Sequence, residues 1–66
     1  MLENDPPPGT IVKFMREVRK ARMYDTAILV RASRKYLRET ADDDFEVEFR
    51  GERMIVKRQD IEKVYL

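Results

Sequence analysis

The stretch DFEVEFRGERMIVKRQDIEKVYL, residues 44–66, decides the fold because it begins with the pattern of a β-hairpin. Phe45, Val47 and Phe49 alternate with charged residues, so one face of a strand is buried and the other is exposed. Gly51 follows, and it can supply the positive φ that a tight hairpin turn requires. We therefore predict two antiparallel strands joined at Gly51.

The length of the turn decides which residues of the second strand join the core. A two-residue turn with Gly51 at either position brings Met54 and Val56 to the same face as the phenylalanines. A three-residue turn would place Ile55 there instead and would bury Lys57, whose charge is costly to remove from water. We expect the two-residue turn.

The hairpin is followed by RQDIEKVYL, residues 58–66. Within it, the segment DIE at residues 60–62 has the pattern of a single turn in which one apolar residue, Ile61, points inward. The chain then leaves through Val64 and Leu66, which we interpret as a last short strand.

The segment at residues 9–24 fits two patterns. As a helix capped by Thr10, its apolar residues recur at helical spacing as far as Val18. As a strand, Val12 and Phe14 share one face up to about Met15, and the charged run REVRKARMYD becomes a long basic loop. Pro-Gly-Thr followed by IVKF is a common entry to the first strand of small barrels, and this context favours the strand.

The next segment, TAILVRASRKYLR at residues 26–38, is interpreted as a strand because its β-branched residues alternate between two faces. A second helix capped by Asp25 remains open as the alternative. The acidic trio at residues 42–44 predicts a solvated turn. It lacks the converging ligands at fixed offsets that a Ca²⁺ or Mg²⁺ site needs, so we expect no metal.

The order of these elements resembles SH3-like small β-barrels. The residues that carry the resemblance are the V-x-F-x-G hairpin, the D-I-E turn and the last short strand at residues 45–66, with a weaker match at residues 9–14. The pattern is similar to KOW modules and to the small barrel subunits that dock on redox complexes in photosynthetic organisms. The resemblance implies a mostly β, five-stranded barrel with a short 3-10 turn before its last strand, and binding rather than catalysis. The alternative fold is α+β, with two N-terminal helices packed on the C-terminal hairpin.

The 66 residues allow one domain with one small core. We expect a disordered Pro-rich leader at residues 1–8 and a single SH3-like barrel domain at residues 9–66. No Cys is present to form a disulfide or a thiolate metal site. No apolar run approaches the roughly 20 residues of a membrane span, and the N-terminus has no signal-peptide pattern. We expect a cytoplasmic protein that does not contact a membrane.

The residue inventory argues against catalysis. The chain has no His, no carboxylate within an apolar run and no obvious general base for Ser33 or the threonines, so neither acid-base nor nucleophilic chemistry is indicated. Its two isolated glycines cannot form a phosphate-binding loop. We expect a protein that is not an enzyme and that uses no cofactor.

The net charge is only +1, yet the charges are segregated along the chain. Residues 13–38 carry nine bases and two acids, which gives +7, whereas residues 39–66 carry five bases and nine acids, which gives −4. A basic surface of this kind can steer an acidic partner to one side of a small domain. It is equally consistent with neutralisation between neighbouring strands.

The basic segment supplies the candidate binding residues: Lys13, Arg16, Arg19, Lys20, Arg22, Tyr24, Arg31, Arg34, Lys35, Tyr36 and Arg38. In the first hypothesis, which we favour slightly, they dock an accessory subunit or binding module on an acidic protein or larger complex. In the second, the bases contact the phosphates of RNA or DNA while Tyr24 or Tyr36 stacks on a base. A homodimer through an exposed edge strand is a further possibility.

Overall fold

The computed structural model describes residues 6–32 and 44–65. It contains the strands β1 (Ile11–Phe14), β2 (Thr26–Ala32), β3 (Asp44–Phe49), β4 (Glu52–Lys57) and β5 (Ile61–Lys63), with a 3-10 turn at Arg58–Asp60. They form one sheet in the order β4-β3-β2-β1-β5, and all four pairings are antiparallel. The prediction of a mostly β protein with five strands and a 3-10 turn is confirmed.

The α+β alternative is not supported, because the described residues contain no α-helix. Residues 11–14 pair with β2 on one side, where Ile11 faces Ile28, and with β5 on the other, where Phe14 faces Ile61. Hydrogen bonds to two neighbours replace those that a helix would make within itself. Val12 and Phe14 share the buried face, as the strand interpretation predicts. Within residues 6–32 and 44–65, no helix is long and apolar enough to cross a membrane.

The hairpin has the predicted two-residue turn. Phe49 pairs with Glu52, so Arg50 and Gly51 form the turn. Their φ angles are 53° and 82°, as a type I′ turn requires, and its backbone twist matches that of the flanking strands. The pairing places Met54 in the core with Val56 of the same strand, which confirms the predicted register.

β2 departs from simple alternation. Leu29 pairs with Val47, but Arg31 pairs with Glu46, so Val30 is an extra residue in a β-bulge. Without the bulge, Arg31 would share the face of Leu29, which is buried. The bulge moves Arg31 to the exposed face of the sheet. β2 ends at Ala32 in the described chain, and the rest of the predicted strand, residues 33–38, lies outside the described residues.

The 3-10 turn begins two residues before the predicted turn at residues 60–62, which is a correction of that boundary. The reason is the side chain of Asp60, whose Oδ2 accepts a hydrogen bond from the backbone N–H of Lys57 at 3.0 Å. This contact closes the turn ahead of Ile61, which enters β5 as a fully buried core residue. The last strand is therefore Ile61–Lys63, and its predicted place at Val64 and Leu66 is wrong: Val64 follows the strand, and Leu66 lies outside the described residues. Asp44, predicted to lie in a turn with residues 42 and 43, instead begins β3, and the other two lie outside the described residues.

The short connection between β4 and β5 requires a curved sheet. In a flat sheet the first and fifth strands lie about 19 Å apart, because neighbours are about 4.8 Å apart. Only the three residues of the 3-10 turn separate Lys57 from Ile61, and four Cα–Cα steps span at most about 14 Å. The two edges therefore approach each other at this end of the sheet.

The core lies on the concave face of this sheet. The rings of Phe14 and Phe49 meet edge to face, with centroids 5.6 Å apart. Every strand contributes to the buried apolar cluster, whose members are Val12, Phe14, Ala21, Ala27, Leu29, Phe45, Val47, Phe49, Met54, Val56 and Ile61. Ala21 is the member that comes from a loop, so the segment between β1 and β2 belongs to the core.

The chain before β1 is tied to β2. Gly9 donates its N–H to the carbonyl of Leu29 at 2.8 Å, and Leu29 donates to Thr10 at 2.8 Å. The Pro7 carbonyl accepts hydrogen bonds from both the N–H and the hydroxyl of Thr10. Residues 1–5 lie outside the described residues, and the division between a leader and a domain stays a prediction.

Candidate binding groove

The loop between β1 and β2, residues 15–25, is a folded hairpin rather than an open connection. Val18 and Ala21 exchange two backbone hydrogen bonds, of 3.0 and 2.9 Å, which leaves Arg19 and Lys20 as a two-residue turn at the tip. Ala21 is fully buried and Val18 packs against the core. Burial of these two apolar residues holds the basic tip over one end of the core.

Hydrogen bonds also order the base of the loop, where it joins β1 and β2. Phe14 donates to the carbonyl of Asp25 at 2.8 Å, and Tyr24 donates to the carbonyl of Phe14 at 2.7 Å, so the β1–β2 pairing continues into the loop. The Asp25 carboxylate accepts the N–H of Arg22 at 2.9 Å. These bonds restrict the loop at both ends of its hairpin.

A further attachment joins the loop to the 3-10 turn. The Nε of Arg16 lies 2.7 Å from Oδ1 of Asp60 in an ion pair, and the N–H of Met15 donates to the Asp60 carbonyl at 2.7 Å. Asp60 is 8% exposed, and its second carboxylate oxygen accepts the N–H of Lys57. One buried carboxylate thus fixes the loop and closes the turn.

A groove of about 340 Å³ lies between the loop tip and the β3–β4 turn. Phe49 and Met54 are buried core residues that form its apolar floor. The groove is lined by Arg19, Lys20, Phe49, Arg50, Glu52, Arg53 and Met54. We call this site the basic groove, because four of its seven lining residues are Lys or Arg and one is acidic.

The four bases differ in how their charge is neutralised. Lys20 pairs with Glu52 across the groove at 3.1 Å, and Arg53 contacts two carboxylates of β3 on the exposed face of the sheet, at 3.4 and 3.7 Å. The Arg50 guanidinium lies over the Phe49 ring, 5.0 Å from its centroid. Neither Arg19 nor Arg50 forms an ion pair with any residue of 6–32 or 44–65.

Both of these arginines have a left-handed backbone. Arg19 and Arg50 each have φ of 53° and each occupies the first position of a two-residue turn. Positive φ brings Cβ close to the backbone and costs roughly 1–2 kcal/mol, which Gly avoids and Asn reduces. Strained backbone of this kind is concentrated at functional sites. Two cationic side chains thus occupy positions that local stability would assign to Gly or Asn.

The other predicted site residues are dispersed. Four cations of the basic segment pair with acids of the C-terminal half, in the pairs Lys13–Glu62 at 3.7 Å, Arg16–Asp60 at 2.7 Å, Lys20–Glu52 at 3.1 Å and Arg31–Glu46 at 2.8 Å. Arg22 is exposed and does not line the groove. Arg34, Lys35, Tyr36 and Arg38 lie outside the described residues. In the described chain, these four cations of the basic segment are therefore neutralised by acids of the C-terminal half.

Tyr24 forms a second, separate feature. It is 62% exposed, its φ is 73°, and the Nζ of Lys13 lies 5.7 Å from the centre of its ring. Lys13 in turn contacts Glu62. An aromatic ring on the surface beside a lysine offers one stacking position next to one cation.

A shallower depression of about 370 Å³ lies near the exposed face of the sheet. Ile11 and Ile28, which face each other across β1 and β2, are both partly exposed there. Its charged lining residues are Glu48 and Arg50, one of each sign. The basic groove therefore has the stronger electrostatic preference for an anionic ligand.

Of the groove residues, Arg19 and Lys20 are predicted from the sequence as binding residues, whereas Arg50, Arg53 and the apolar floor are not. The two missed arginines lie in a segment of net charge −4, so a charge count along the chain points away from them. The sequence contains one local signal for Arg50. It occupies the position before Gly51, and a type I′ turn favours Asn or Asp at that position. A long cationic side chain in that position, in place of Asn, Asp or Gly, indicates a role other than forming the turn.

Comparisons of the chain with protein-family models, with curated proteins and with solved structures found no match.

Proposed function

We propose that this chain is a non-enzymatic binding module, or a small accessory subunit, that docks on an acidic protein partner through the basic groove. The observation that carries the proposal is the combination of an apolar floor, Phe49 and Met54, with the cationic side chains of Arg19 and Arg50 above it. An apolar contact supplies affinity, while cations at its margin steer and orient an acidic partner.

The fold that we propose for this module is an SH3-like small barrel. Three observations support it: the strand order β4-β3-β2-β1-β5, the two-residue β3–β4 turn, and the short 3-10 turn that connects the two edge strands, β4 and β5. Folds of this class host many functions, so the function is argued from the groove and not from the fold.

A nucleic-acid ligand is the second candidate, and Tyr24 is the observation in its favour. Its exposed ring beside Lys13 is suited to stacking on an unpaired base. The neighbouring Glu62 is unfavourable for a phosphate, however, and four cations of the basic segment already contact carboxylates. A protein partner is therefore the better supported proposal.

The proposal is tested by affinity capture from native lysate with the immobilised protein, with and without nuclease. Arg19→Glu combined with Arg50→Glu should abolish capture of the partner, because charge reversal acts on the two groove cations that form no ion pair within residues 6–32 and 44–65. The matched control is Arg22→Glu with Lys63→Glu, which changes the net charge equally at exposed positions outside the groove. The melting temperature of each variant establishes that it is folded.

Capture that survives nuclease, is lost in the groove variant and persists in the control supports the proposal. Loss of capture on nuclease treatment would favour the nucleic-acid candidate. Equal loss in both variants would show that net charge, and not the groove, determines binding. Unchanged capture by the groove variant would contradict the proposed site.

A further inference from the structure

One ion pair already places a carboxylate inside the basic groove. Lys20 Nζ lies 3.1 Å from Oε1 and 3.2 Å from Oε2 of Glu52, so the ammonium group contacts both carboxylate oxygens. The pair joins the tip of the β1–β2 loop to the start of β4, and both residues line the groove. The protein's own carboxylate therefore occupies a position that a ligand carboxylate would need.

We infer that the basic groove binds an extended acidic peptide segment with an apolar side chain, and that a ligand carboxylate replaces Glu52 at Lys20. This inference rests on the proposed function and specifies its ligand. The apolar side chain contacts Phe49 and Met54, and flanking carboxylates contact Lys20 and Arg50. Glu52 is thus an internal competitor of the ligand.

The exchange requires that the internal ion pair is weak. The side chains of Lys20 and Glu52 are 74% and 62% exposed. Exposed ion pairs contribute little to stability, since water and salt screen them and ordering two long side chains costs entropy. Releasing Glu52 therefore costs little, and a ligand that also covers the apolar floor gains more than the internal carboxylate does.

The charge of the groove explains why the ligand should be acidic even with Glu52 present. Arg19 and Arg50 have no carboxylate partner in residues 6–32 and 44–65. Arg50 is also held over the Phe49 ring, which limits the orientations of its guanidinium. A guanidinium that is ordered before binding loses less entropy when it contacts a carboxylate.

The test uses fluorescence anisotropy with a fluorescein-labelled pentapeptide, Glu-Glu-Leu-Glu-Glu, at low and physiological salt. Comparison peptides replace every Glu with Gln, or the Leu with Ser. We expect the parent peptide to bind the wild-type protein, and both comparison peptides to bind more weakly. The affinity should fall as salt rises, because screening weakens exposed charge interactions.

Two single substitutions distinguish exchange from a structural role of the ion pair. Glu52→Gln keeps the shape of the side chain and removes the competing charge, so the affinity for the parent peptide should rise about two- to five-fold. Lys20→Gln removes the cation that receives the ligand and should lower the affinity. If the ion pair only supported the fold, Glu52→Gln and Lys20→Gln would both change the affinity in the same direction.

Glu62→Gln is the matched control, because Glu62 also forms an ion pair with a lysine, the partly exposed Lys13, but lies on β5 outside the groove. It should leave the affinity unchanged. The inference is wrong if the parent peptide does not bind, or if the Gln peptide binds equally well. It is wrong too if the Glu52→Gln variant does not bind the parent peptide more tightly than the Glu62→Gln variant does. It is also wrong if an oligo-uridine competes for the groove more strongly than the peptide does.

The two proposals can fail separately. If capture of the acidic partner depends on Arg19 and Arg50 but Glu52→Gln has no effect, the proposed function stands and the exchange with Glu52 is wrong. If the groove variant still captures its partner, the proposed function itself is wrong.

Discussion

At the scale of single residues, Arg50 has a backbone conformation that is less stable for arginine than for Asn or Gly. The two-residue turn needs positive φ at both positions, and Gly51 meets this need without strain. Arg50 meets it at a cost that Asn would reduce. Its guanidinium lies over Phe49 at the margin of the groove. The simplest account is that this position retains a cation for binding.

Arg50→Asn should therefore stabilise the protein and weaken binding at the same time. We expect the free energy of unfolding to rise by about 0.5–1 kcal/mol, because Asn tolerates positive φ better than Arg. Urea denaturation measures the change, and the anisotropy assay measures the binding. Arg22→Asn, at an exposed position without positive φ, should change stability by less than about 0.5 kcal/mol. A destabilised Arg50→Asn variant would contradict this account.

Asp60 is the residue on which the attachment of the β1–β2 loop depends. Its carboxylate contacts Arg16 and the Lys57 N–H, and its carbonyl accepts the Met15 N–H. Removing the carboxylate leaves the Lys57 N–H without that acceptor. The loop that carries one side of the groove would lose its ion pair with the 3-10 turn and would keep only the bond from the Met15 N–H to the backbone carbonyl of residue 60.

Asp60→Ala should destabilise the protein by about 2 kcal/mol, since hydrogen bonds to a charged group in a poorly exposed position are among the stronger ones. Arg16→Ala should cost less, about 0.5–1 kcal/mol, because the Arg16 side chain is half-exposed and Asp60 keeps its bond to Lys57. Thermal melting compares the two. Equal losses would mean that the ion pair, and not the closure of the turn, is the stabilising contact.

At the scale of elements, the hairpin and β2 show what a sequence pattern can and cannot predict. The strict alternation of β3 and the single glycine determine the register of the β3–β4 hairpin, and the prediction is confirmed. In β2 the same alternation rule would group Arg31 with Leu29, and the bulge changes this. A bulge depends on the neighbouring strand, since it places Arg31 beside Glu46, and no local pattern contains that information.

The bulge also gives the two glutamates on the exposed face of β3 different environments. Glu46 accepts contacts from Arg31 at 2.8 Å and Arg53 at 3.4 Å, and its side chain is only 15% exposed. Glu48 is more exposed and, among the described residues, forms one ion pair, with Arg53 at 3.7 Å. The two glutamates have equivalent places in the sequence pattern but different environments in the sheet.

Alanine substitutions along β3 test this difference. Val47→Ala and Phe49→Ala should each lower the free energy of unfolding by about 2–4 kcal/mol, because both side chains are buried. Glu48→Ala should cost less than about 0.5 kcal/mol. Glu46→Ala should fall between these limits, near 1 kcal/mol. Chemical denaturation provides the values, and equal sensitivity of the apolar and acidic positions would refute the register.

At the scale of the whole molecule, a small core and a curved sheet bring together charges that are far apart in the sequence. The loop tip at Arg19 and the hairpin turn at Arg50 are 31 residues apart, yet both line the same groove. Counting charges along the chain predicted the contribution of the loop but not that of the hairpin. The predicted basic face also included Lys13, Arg16 and Arg31, which the folded sheet places beside carboxylates.

The mostly β fold itself gives a direct spectroscopic expectation. Far-ultraviolet circular dichroism should be dominated by strand, because the described elements are five strands and one 3-10 turn. A signal that is more than about a third helical would restore the α+β alternative.

The central claim is that the basic groove is the binding site, and an NMR titration of the ¹⁵N-labelled protein with the Glu-Glu-Leu-Glu-Glu peptide tests it most directly. The account predicts that the largest amide shifts occur at the groove residues Arg19, Lys20, Phe49, Arg50, Glu52 and Met54. Signals of Ile11, Tyr24 and Ile28, which do not line the groove, should move little. Shifts concentrated at those three residues, or none at saturating peptide, would contradict the account.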